Sequence, residues 1–239
     1  MISADEPVMT VYGAAWCPHC KRVKKFLAGH RVRYTNVDID TDPEAIGRLK
    51  ELQDGGQIIP TVIYPDGTHE VNPSNEALAR RIGLTVEADR SAYDLAIVGG
   101  GPAGLAAAIY AAREGIDAIV VDASALGGQA GISDRIDNYP GFPHGISGGE
   151  LADRFVAQAR RYGVELISGV SVTSVQSDHD DLVTSLSSGQ QLTSHAVIVA
   201  TGSTYRRLNV PGEDDLMVPV STSAPRATGP STRAPRRSS

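Results

Sequence analysis

Short apolar runs alternate with amphipathic stretches over the first third of the chain. The pattern predicts strands over residues 8–12, 34–38, 61–64 and 68–71, and helices over residues 18–28, 42–54 and 74–82. Asp42 followed by Pro43 is typical of a helix N-terminus, and Pro65-Asp66-Gly67 supplies the turn of a hairpin. These elements predict a small α/β domain over residues 1–84 and a polar linker over residues 85–92.

A second α/β pattern begins at Tyr93. It predicts buried strands over residues 94–98, 118–121 and 196–200, an alanine-rich helix ending near residue 114, a helix over residues 147–162, and short meander strands over residues 164–167, 171–177 and 182–186. A glycine-rich turn joins the first of these strands to the first helix. We assign residues 93–216 to this second domain.

The last segment has a different composition. Residues 217–239 contain four prolines, four arginines and no acidic residue, with little apolar surface. Such a segment cannot bury enough surface to offset the entropy cost of ordering its backbone. We therefore predict a disordered tail over residues 217–239.

Composition narrows the classes of function. The 239 residues carry 22 basic and 28 acidic side chains, for a net charge of −6, and 41% are apolar. Without a basic stripe there is no electrostatic reason to expect nucleic acid or a membrane surface as partner. Asp5 and Glu6 stand where a signal peptide carries positive charge, and no apolar run approaches about 18 residues. We expect a cytoplasmic protein.

Both cysteines fall in one short motif, Cys17-Pro18-His19-Cys20, between a predicted strand and a predicted helix. A helix N-terminus stabilises a thiolate, and the three-residue spacing lets Cys20 attack a mixed disulfide on Cys17. The pattern predicts Cys17 as nucleophile with outward access and Cys20 as resolving thiol. His19, between the sulfurs, can stabilise the thiolate further.

Half of a zinc site is the alternative interpretation of the same motif. A structural zinc ion needs two more Cys or His ligands at suitable spacing. The remaining histidines show no paired spacing, so redox chemistry is favoured and no metal is expected.

The first domain resembles glutaredoxins, and among them the mycoredoxin-like type. Three segments carry the resemblance: residues 16–21 around the dithiol, the acidic strand end at residues 37–40, and Ile59-Pro60-Thr61. It implies a thioredoxin-like fold and a cis-proline, Pro60, that faces the dithiol and pairs with substrate backbone. It also implies a protein disulfide or a low-molecular-weight thiol as partner; a trans loop proline is the alternative at Pro60.

The glycine-rich turn of the second domain has the sequence Gly99-Gly100-Gly101-Pro102-Ala103-Gly104. A strand precedes it, a helix follows it, and Asp122 ends the next strand, where a carboxylate can accept a hydrogen bond from a ribose hydroxyl. Gly99 makes the tight turn, Gly101 lets the backbone approach a pyrophosphate, and Gly104 lets the helix pack on the strand. A structural turn without nucleotide is the alternative.

The second domain resembles the N-terminal FAD domain of low-molecular-weight thioredoxin reductases. The matching segments are Gly127-Gly128-Gln129, residues 138–142, residues 145–148 and Ala200-Thr201-Gly202. The resemblance implies a Rossmann-type domain that binds FAD, with Gly127, Gly128, Gln129 and Asn138 near the flavin, and Thr201 and Gly202 beside the cofactor. A surface turn and a strand exit are the alternatives for residues 138–142 and 201–202.

The same resemblance implies a longer chain in complete family members. There an NAD(P)H domain with a second glycine motif and its own Cys-x-x-Cys follows the point matched here by residues 210–216. We therefore expect an incomplete FAD domain in this chain, weakened FAD binding and no NAD(P)H site. A homodimer is compatible with the sequence.

The sequence thus predicts a thiol-disulfide oxidoreductase resembling thioredoxin-disulfide reductases, which passes electrons from NAD(P)H through FAD to a dithiol and then to Cys17 and Cys20. Two alternatives stay open. One is a glutaredoxin-type reductase carrying a non-functional flavin fragment, and the other is a nucleotide-binding scaffold without catalysis.

Overall fold

The computed structural model describes residues 9–203, which fall in one compact unit. Its first sheet has four strands: β1 (Met9–Gly13), β2 (Tyr34–Asp38), β3 (Thr61–Ile63) and β4 (His69–Val71). The strand order is β2-β1-β3-β4, with β1 and β2 parallel and the other neighbours antiparallel. This is the thioredoxin-like sheet that the sequence predicts, and the hairpin from β3 to β4 turns at Gly67 as expected.

Three helices belong to this first domain: α1 (Pro18–Gly29), α2 (Ala45–Leu52) and α3 (Asn75–Arg81). Helix α1 has proline in its first turn and turns Cys20, Val23, Phe26 and Leu27 into the core. Ser74 caps α3, because its side chain accepts a hydrogen bond from the Ala77 amide.

Helix α2 starts later than predicted. Asp42 does not cap it: the Asp42 carboxylate accepts from the Glu44 amide, and the Ala45 amide donates to the Asp42 carbonyl. These bonds close a turn through Pro43 and Glu44, and the helix begins only at Ala45. The error arises because Asp-Pro favours turns as well as helix starts.

The second sheet has six strands: β5 (Ala92–Val98), β6 (Ala118–Asp122), β7 (Glu165–Ser168), β8 (Val172–Asp178), β9 (Asp181–Leu186) and β10 (Gln191–Val199). Their order is β7-β6-β5-β10-β9-β8. Neighbours among β7, β6, β5 and β10 pair in parallel, and β9 and β8 add an antiparallel edge. Helices α4 (Pro102–Arg113), α5 (Gly128–Gly131) and α6 (Gly148–Arg161) complete this Rossmann-type second domain.

Two expectations for the second sheet are wrong. Residues 164–167 are not part of a meander, because β7 pairs in parallel with β6 at the far edge of the sheet. The end of β10 is not buried: Val199 is 71% exposed. An apolar run predicts burial on both faces of a parallel strand, but helix α4 packs on β5 and β6 and leaves the end of β10 exposed.

One hydrophobic cluster joins the two domains. It includes Val11, Phe26 and Leu78 from the first and Ile119 and Ile167 from the second. The segment between the domains takes part in this packing. Val86 is buried in the cluster, and the Thr85 carbonyl accepts from the Ser168 amide.

The predicted domain limits at 84, 92 and 216 stay a prediction, and the predicted tail over residues 217–239 lies outside the described residues. Within residues 9–203 no helix is long and apolar enough to cross a membrane.

Candidate functional site

The dithiol lies where β1 leads into α1. Cys17 occupies the N-cap position with extended backbone, and its sulfur accepts a hydrogen bond from the Cys20 amide at 3.2 Å. Its thiol also faces the Ile59 carbonyl at 4.0 Å. Cys17 is only 4% exposed, less open than the sequence predicted, while Cys20 is fully buried. Cys17 is the more exposed of the two cysteines.

Burial, together with the hydrogen bond and the charge of Cys17, raises the pKa of the Cys20 thiol to about 11 against smaller opposing effects of the Ala14 backbone and Lys24. Gly13 makes this burial possible. A Cβ at Gly13 lies 3.0 Å from the Cys20 sulfur, so a side chain there crowds the thiol. Cys20 is therefore a protonated thiol at neutral pH.

Trp16 and Ile58, which are adjacent in sequence to Cys17 and to Ile59, are exposed apolar residues. Trp16 is 65% exposed, and its indole nitrogen donates to the Asp40 carboxylate at 2.9 Å. Ile58 is 58% exposed in the loop that precedes Pro60. The Ile59–Pro60 peptide bond is cis, as the resemblance implied, and the His19 side chain is exposed. The arrangement can receive a thiol or a polypeptide substrate over Cys17.

The glycine turn of the second domain has the geometry its sequence predicts. Gly99 has a φ of +109°, and a Cβ at Gly104 lies 1.9 Å from the Gly99 carbonyl oxygen. Gly101 is different: a Cβ there meets nothing within 4 Å. Gly101 is the N-cap of α4 and offers no side chain to its first amides, which leaves them open to a ligand.

Asp122 links the strand end to this turn. Its carboxylate accepts hydrogen bonds from the Gly100 amide at 2.6 Å and the Ser124 amide at 2.7 Å, and from the Ser124 hydroxyl at 3.0 Å. A carboxylate has about four lone-pair sites. Asp122 therefore retains capacity for a ribose hydroxyl.

A cavity of about 580 Å³ opens over the glycine turn. It is lined by most of the predicted cofactor residues: Gly99, Gly101, Pro102, Ala103, Asp122, Gly128, Gln129, Thr201 and Gly202. The volume lies in the usual range of small-molecule and cofactor sites. Open amides at a helix N-terminus, a glycine that leaves space and a nearby carboxylate fit the diphosphate and ribose of a dinucleotide.

Three predicted residues lie outside the cavity lining. Gly104 is a packing position, because the Gly99 carbonyl leaves no room for a side chain there. The Gly127 amide donates a hydrogen bond to the Gly100 carbonyl at 2.7 Å. Asn138 is exposed in a turn. The flavin role of Gly127 and Asn138 stays a prediction.

The sequence reasoning missed other lining residues, among them Lys25, Gly29, Ser124 and Ser171. Ser124 carried a usable signal, since it follows the predicted ribose ligand by two residues. Lys25 and Gly29 carried none, because they belong to α1 of the other domain. Among residues 9–203, no three His, Cys, Asp or Glu side chains come together as a metal site.

The described residues thus combine a buried dithiol on a thioredoxin-like sheet with a cavity over the glycine turn of a Rossmann-type sheet. The chain belongs to the pyridine nucleotide-disulphide oxidoreductase family, whose model matches residues 93–230. The glutaredoxin family model matches residues 9–70. Membership of the first family implies a flavin cofactor.

The relatives are longer proteins. The chain is 37% identical over 137 residues to a bifunctional thioredoxin reductase/thioredoxin of Mycobacterium leprae, covering 57% of this chain and 30% of that protein. It is 33% identical over 154 residues to an alkyl hydroperoxide reductase component of Staphylococcus aureus, covering 63% and 30%. It thus spans about a third of the length of these curated relatives.

A solved structure of T. acidophilum thioredoxin reductase also resembles part of the chain. It shares 33% identity with a TM-score of 0.49, and the match covers 53% of this chain and 40% of that one.

Proposed function

We propose that this chain is a thiol-disulfide oxidoreductase in which Cys17 and Cys20 reduce disulfides and the second domain binds FAD. The observation that carries the proposal is the dithiol itself. The Cys17 sulfur accepts a hydrogen bond from the Cys20 amide at the start of α1, and Cys20 is buried one turn further along the helix. This pairs a reachable sulfur with a protected one, which is the division that dithiol exchange requires.

The reaction proceeds in two exchanges. The Cys17 thiolate attacks one sulfur of a substrate disulfide, forms a mixed disulfide and releases the first thiolate, which takes up a proton. Cys20 then loses its proton and attacks the Cys17 sulfur, so that the second substrate thiolate leaves. Two electrons pass to the substrate, and the protein ends as the Cys17–Cys20 disulfide.

The environment of Cys20 suits this order. Two causes of its raised pKa, the hydrogen bond and the charge of Cys17, depend on Cys17 being free. Both are removed when Cys17 is in a mixed disulfide. The Cys20 thiol therefore becomes more acidic at the step in which it has to attack.

FAD, when bound, supplies a two-electron carrier between a nicotinamide donor and dithiols. The residues that would hold it are the first-turn amides of α4, the Asp122 carboxylate and the cavity wall at Gln129 and Thr201. The proposed acceptor is a protein disulfide or the disulfide of a low-molecular-weight thiol. NAD(P)H, for which no site is expected in this chain, is the electron source proposed for the complete family member.

Trapping the mixed disulfide tests the dithiol half of the proposal. The Cys20→Ser variant, mixed with bis(2-hydroxyethyl) disulfide, should hold one covalent adduct on Cys17 by mass spectrometry. The Cys17→Ser variant is the matched control and should hold none under the same conditions. An adduct on Cys20 but not on Cys17 would contradict the assignment, and the absence of any adduct would favour a scaffold role.

Titration with FAD tests the other half. The purified chain should quench flavin fluorescence with a 1:1 end point. Absence of saturable binding would show that the cavity over the glycine turn is not a flavin site.

A further inference from the structure

The dinucleotide cavity is not built by the second domain alone. Lys25 and Gly29, both on helix α1 of the first domain, line it beside Asp122 and Ser124. Gly29 is the last residue of α1, so the end of the helix that begins at the dithiol reaches the nucleotide cavity.

Residues 123–125, which follow the proposed ribose ligand Asp122, are held in place by neighbouring residues. A Cβ at Gly29 lies 2.9 Å from the Ala125 Cβ, so only glycine allows so close an approach. The Asn75 side-chain amide of the first domain donates to the Ala123 carbonyl at 3.0 Å. The Ser168 hydroxyl donates to the Ser124 carbonyl at 2.9 Å. Each of the three residues after Asp122 therefore has a defined neighbour.

Further contacts fix helix α1 in this position. Arg31 forms a bidentate ion pair with Asp153, at 2.6 and 3.0 Å, and donates to the Gly149 carbonyl. His30 packs on Phe26 and lies 3.4 Å from the Ser168 hydroxyl. The approach of Lys25 to the cavity is thus set by several bonds from different residues.

Lys25 brings a positive charge to the wall of the cavity. Lys25 and Asp122 are the charged side chains among the described residues that line the cavity. Lys25 has no hydrogen-bond or ion-pair partner within residues 9–203. An ammonium that borders the same cavity as the first amides of α4 attracts the negative diphosphate of a dinucleotide.

We propose that Lys25 of the glutaredoxin domain is a cofactor-binding residue of the flavin domain, which attracts the ADP half of FAD, and that docking of α1 shapes this end of the cavity. The inference rests on the proposed FAD site. It makes the dithiol domain part of the cofactor site, so cofactor affinity reports whether the two domains are docked.

The test compares Lys25→Gln with Lys50→Gln, which removes an exposed lysine on α2 that does not line the cavity. FAD, ADP and FMN are titrated into each variant and the parent chain. Lys25→Gln should weaken FAD and ADP binding about fivefold, the upper end for an exposed ion pair. FMN, which lacks the adenosine and its phosphate but keeps the other phosphate, should be affected less. The difference in FAD affinity between the parent chain and Lys25→Gln should shrink at 1 M salt, because the Debye length falls to about 3 Å.

A second pair of variants tests docking. Arg31→Ala breaks the ion pair with Asp153, and Arg33→Ala removes a nearby arginine as control. Arg31→Ala should weaken FAD binding severalfold and speed hydrogen exchange over residues 123–125, without changing adduct formation at Cys17.

The outcomes separate the two proposals. If the parent chain does not bind FAD, the proposed function of the cavity is wrong. If the parent binds FAD and Lys25→Gln and Arg31→Ala bind it equally well, the cofactor site stands and the role of the glutaredoxin domain in it is refuted.

Discussion

Substitution by alanine should have different effects at two glycines of the same turn, lowering stability at one and ligand binding at the other. Gly101 and Gly104 lie three residues apart at the start of α4. A Cβ at Gly104 lies 1.9 Å from the Gly99 carbonyl oxygen, whereas a Cβ at Gly101 meets nothing within 4 Å. Gly101 has a φ of −74°, which alanine adopts freely. Gly104→Ala should therefore damage the fold, and Gly101→Ala should damage only the ligand site.

The magnitudes follow from these distances. The Gly104→Ala methyl is roughly 1.5 Å short of ordinary contact with a backbone oxygen, so α4 has to move away from β5. Overpacking of this kind costs about 3 kcal/mol, which lowers Tm by roughly 6–12 °C for a domain of this size. Gly101→Ala should stay within about 0.5 kcal/mol of the parent. Its methyl fills the space that a diphosphate requires, so FAD should bind at least about tenfold more weakly.

Thermal unfolding, monitored by circular dichroism, tests the Gly104→Ala prediction, and FAD titration tests the Gly101→Ala prediction. A Gly104→Ala variant that melts with the parent would refute the close approach of α4 to the Gly99 carbonyl. A Gly101→Ala variant that binds FAD as the parent does would show that the cofactor does not pass over that residue.

Three further predictions concern the dithiol and the domain contact. In the reduced chain iodoacetamide should label Cys17 before Cys20, since the pKa of Cys20 is raised to about 11 while Cys17 is free; peptide mass spectrometry with equal labelling would contradict this. Asp40→Ala should raise KM for peptide disulfides about two- to tenfold with kcat unchanged, because Trp16 loses its hydrogen bond; steady-state kinetics measure the split, and a small disulfide is the control. Burial lowers the pKa of His30 below its ordinary value near 6.5, so its contribution to stability is full above that pH and falls as pH drops toward the lower folded pKa. The free energy of unfolding in urea should therefore depend less on pH in His30→Gln than in the parent chain. An unchanged pH dependence would refute the assignment.

Much of the architecture could be predicted from local sequence. The dithiol start of α1, the glycine turn before α4 and the Ser74 and Ser147 caps are each specified by a few adjacent residues. Their conformations are fixed by backbone sterics and by hydrogen bonds between near neighbours, so the sequence is sufficient. The same holds for Gly104, whose contact partner lies only five residues away.

The start of α2 shows where local signals compete. Asp42-Pro43 is compatible with a cap and with a turn, and the choice depends on where β2 ends and what the next helix packs on. The sequence predicts a helix start at Asp42, and the structure begins the helix at Ala45.

Only the tertiary structure decided which distant segments meet. The parallel pairing of β7 with β6 joins residues more than forty positions apart, and the apolar pattern of β7 is the same for either type of pairing. The nucleotide cavity depends on the same kind of information, because Lys25 and Gly29 reach it from another domain. A residue pattern records which side of a helix is buried, but not which surface buries it, and the packing of α1 against the second sheet supplied that answer.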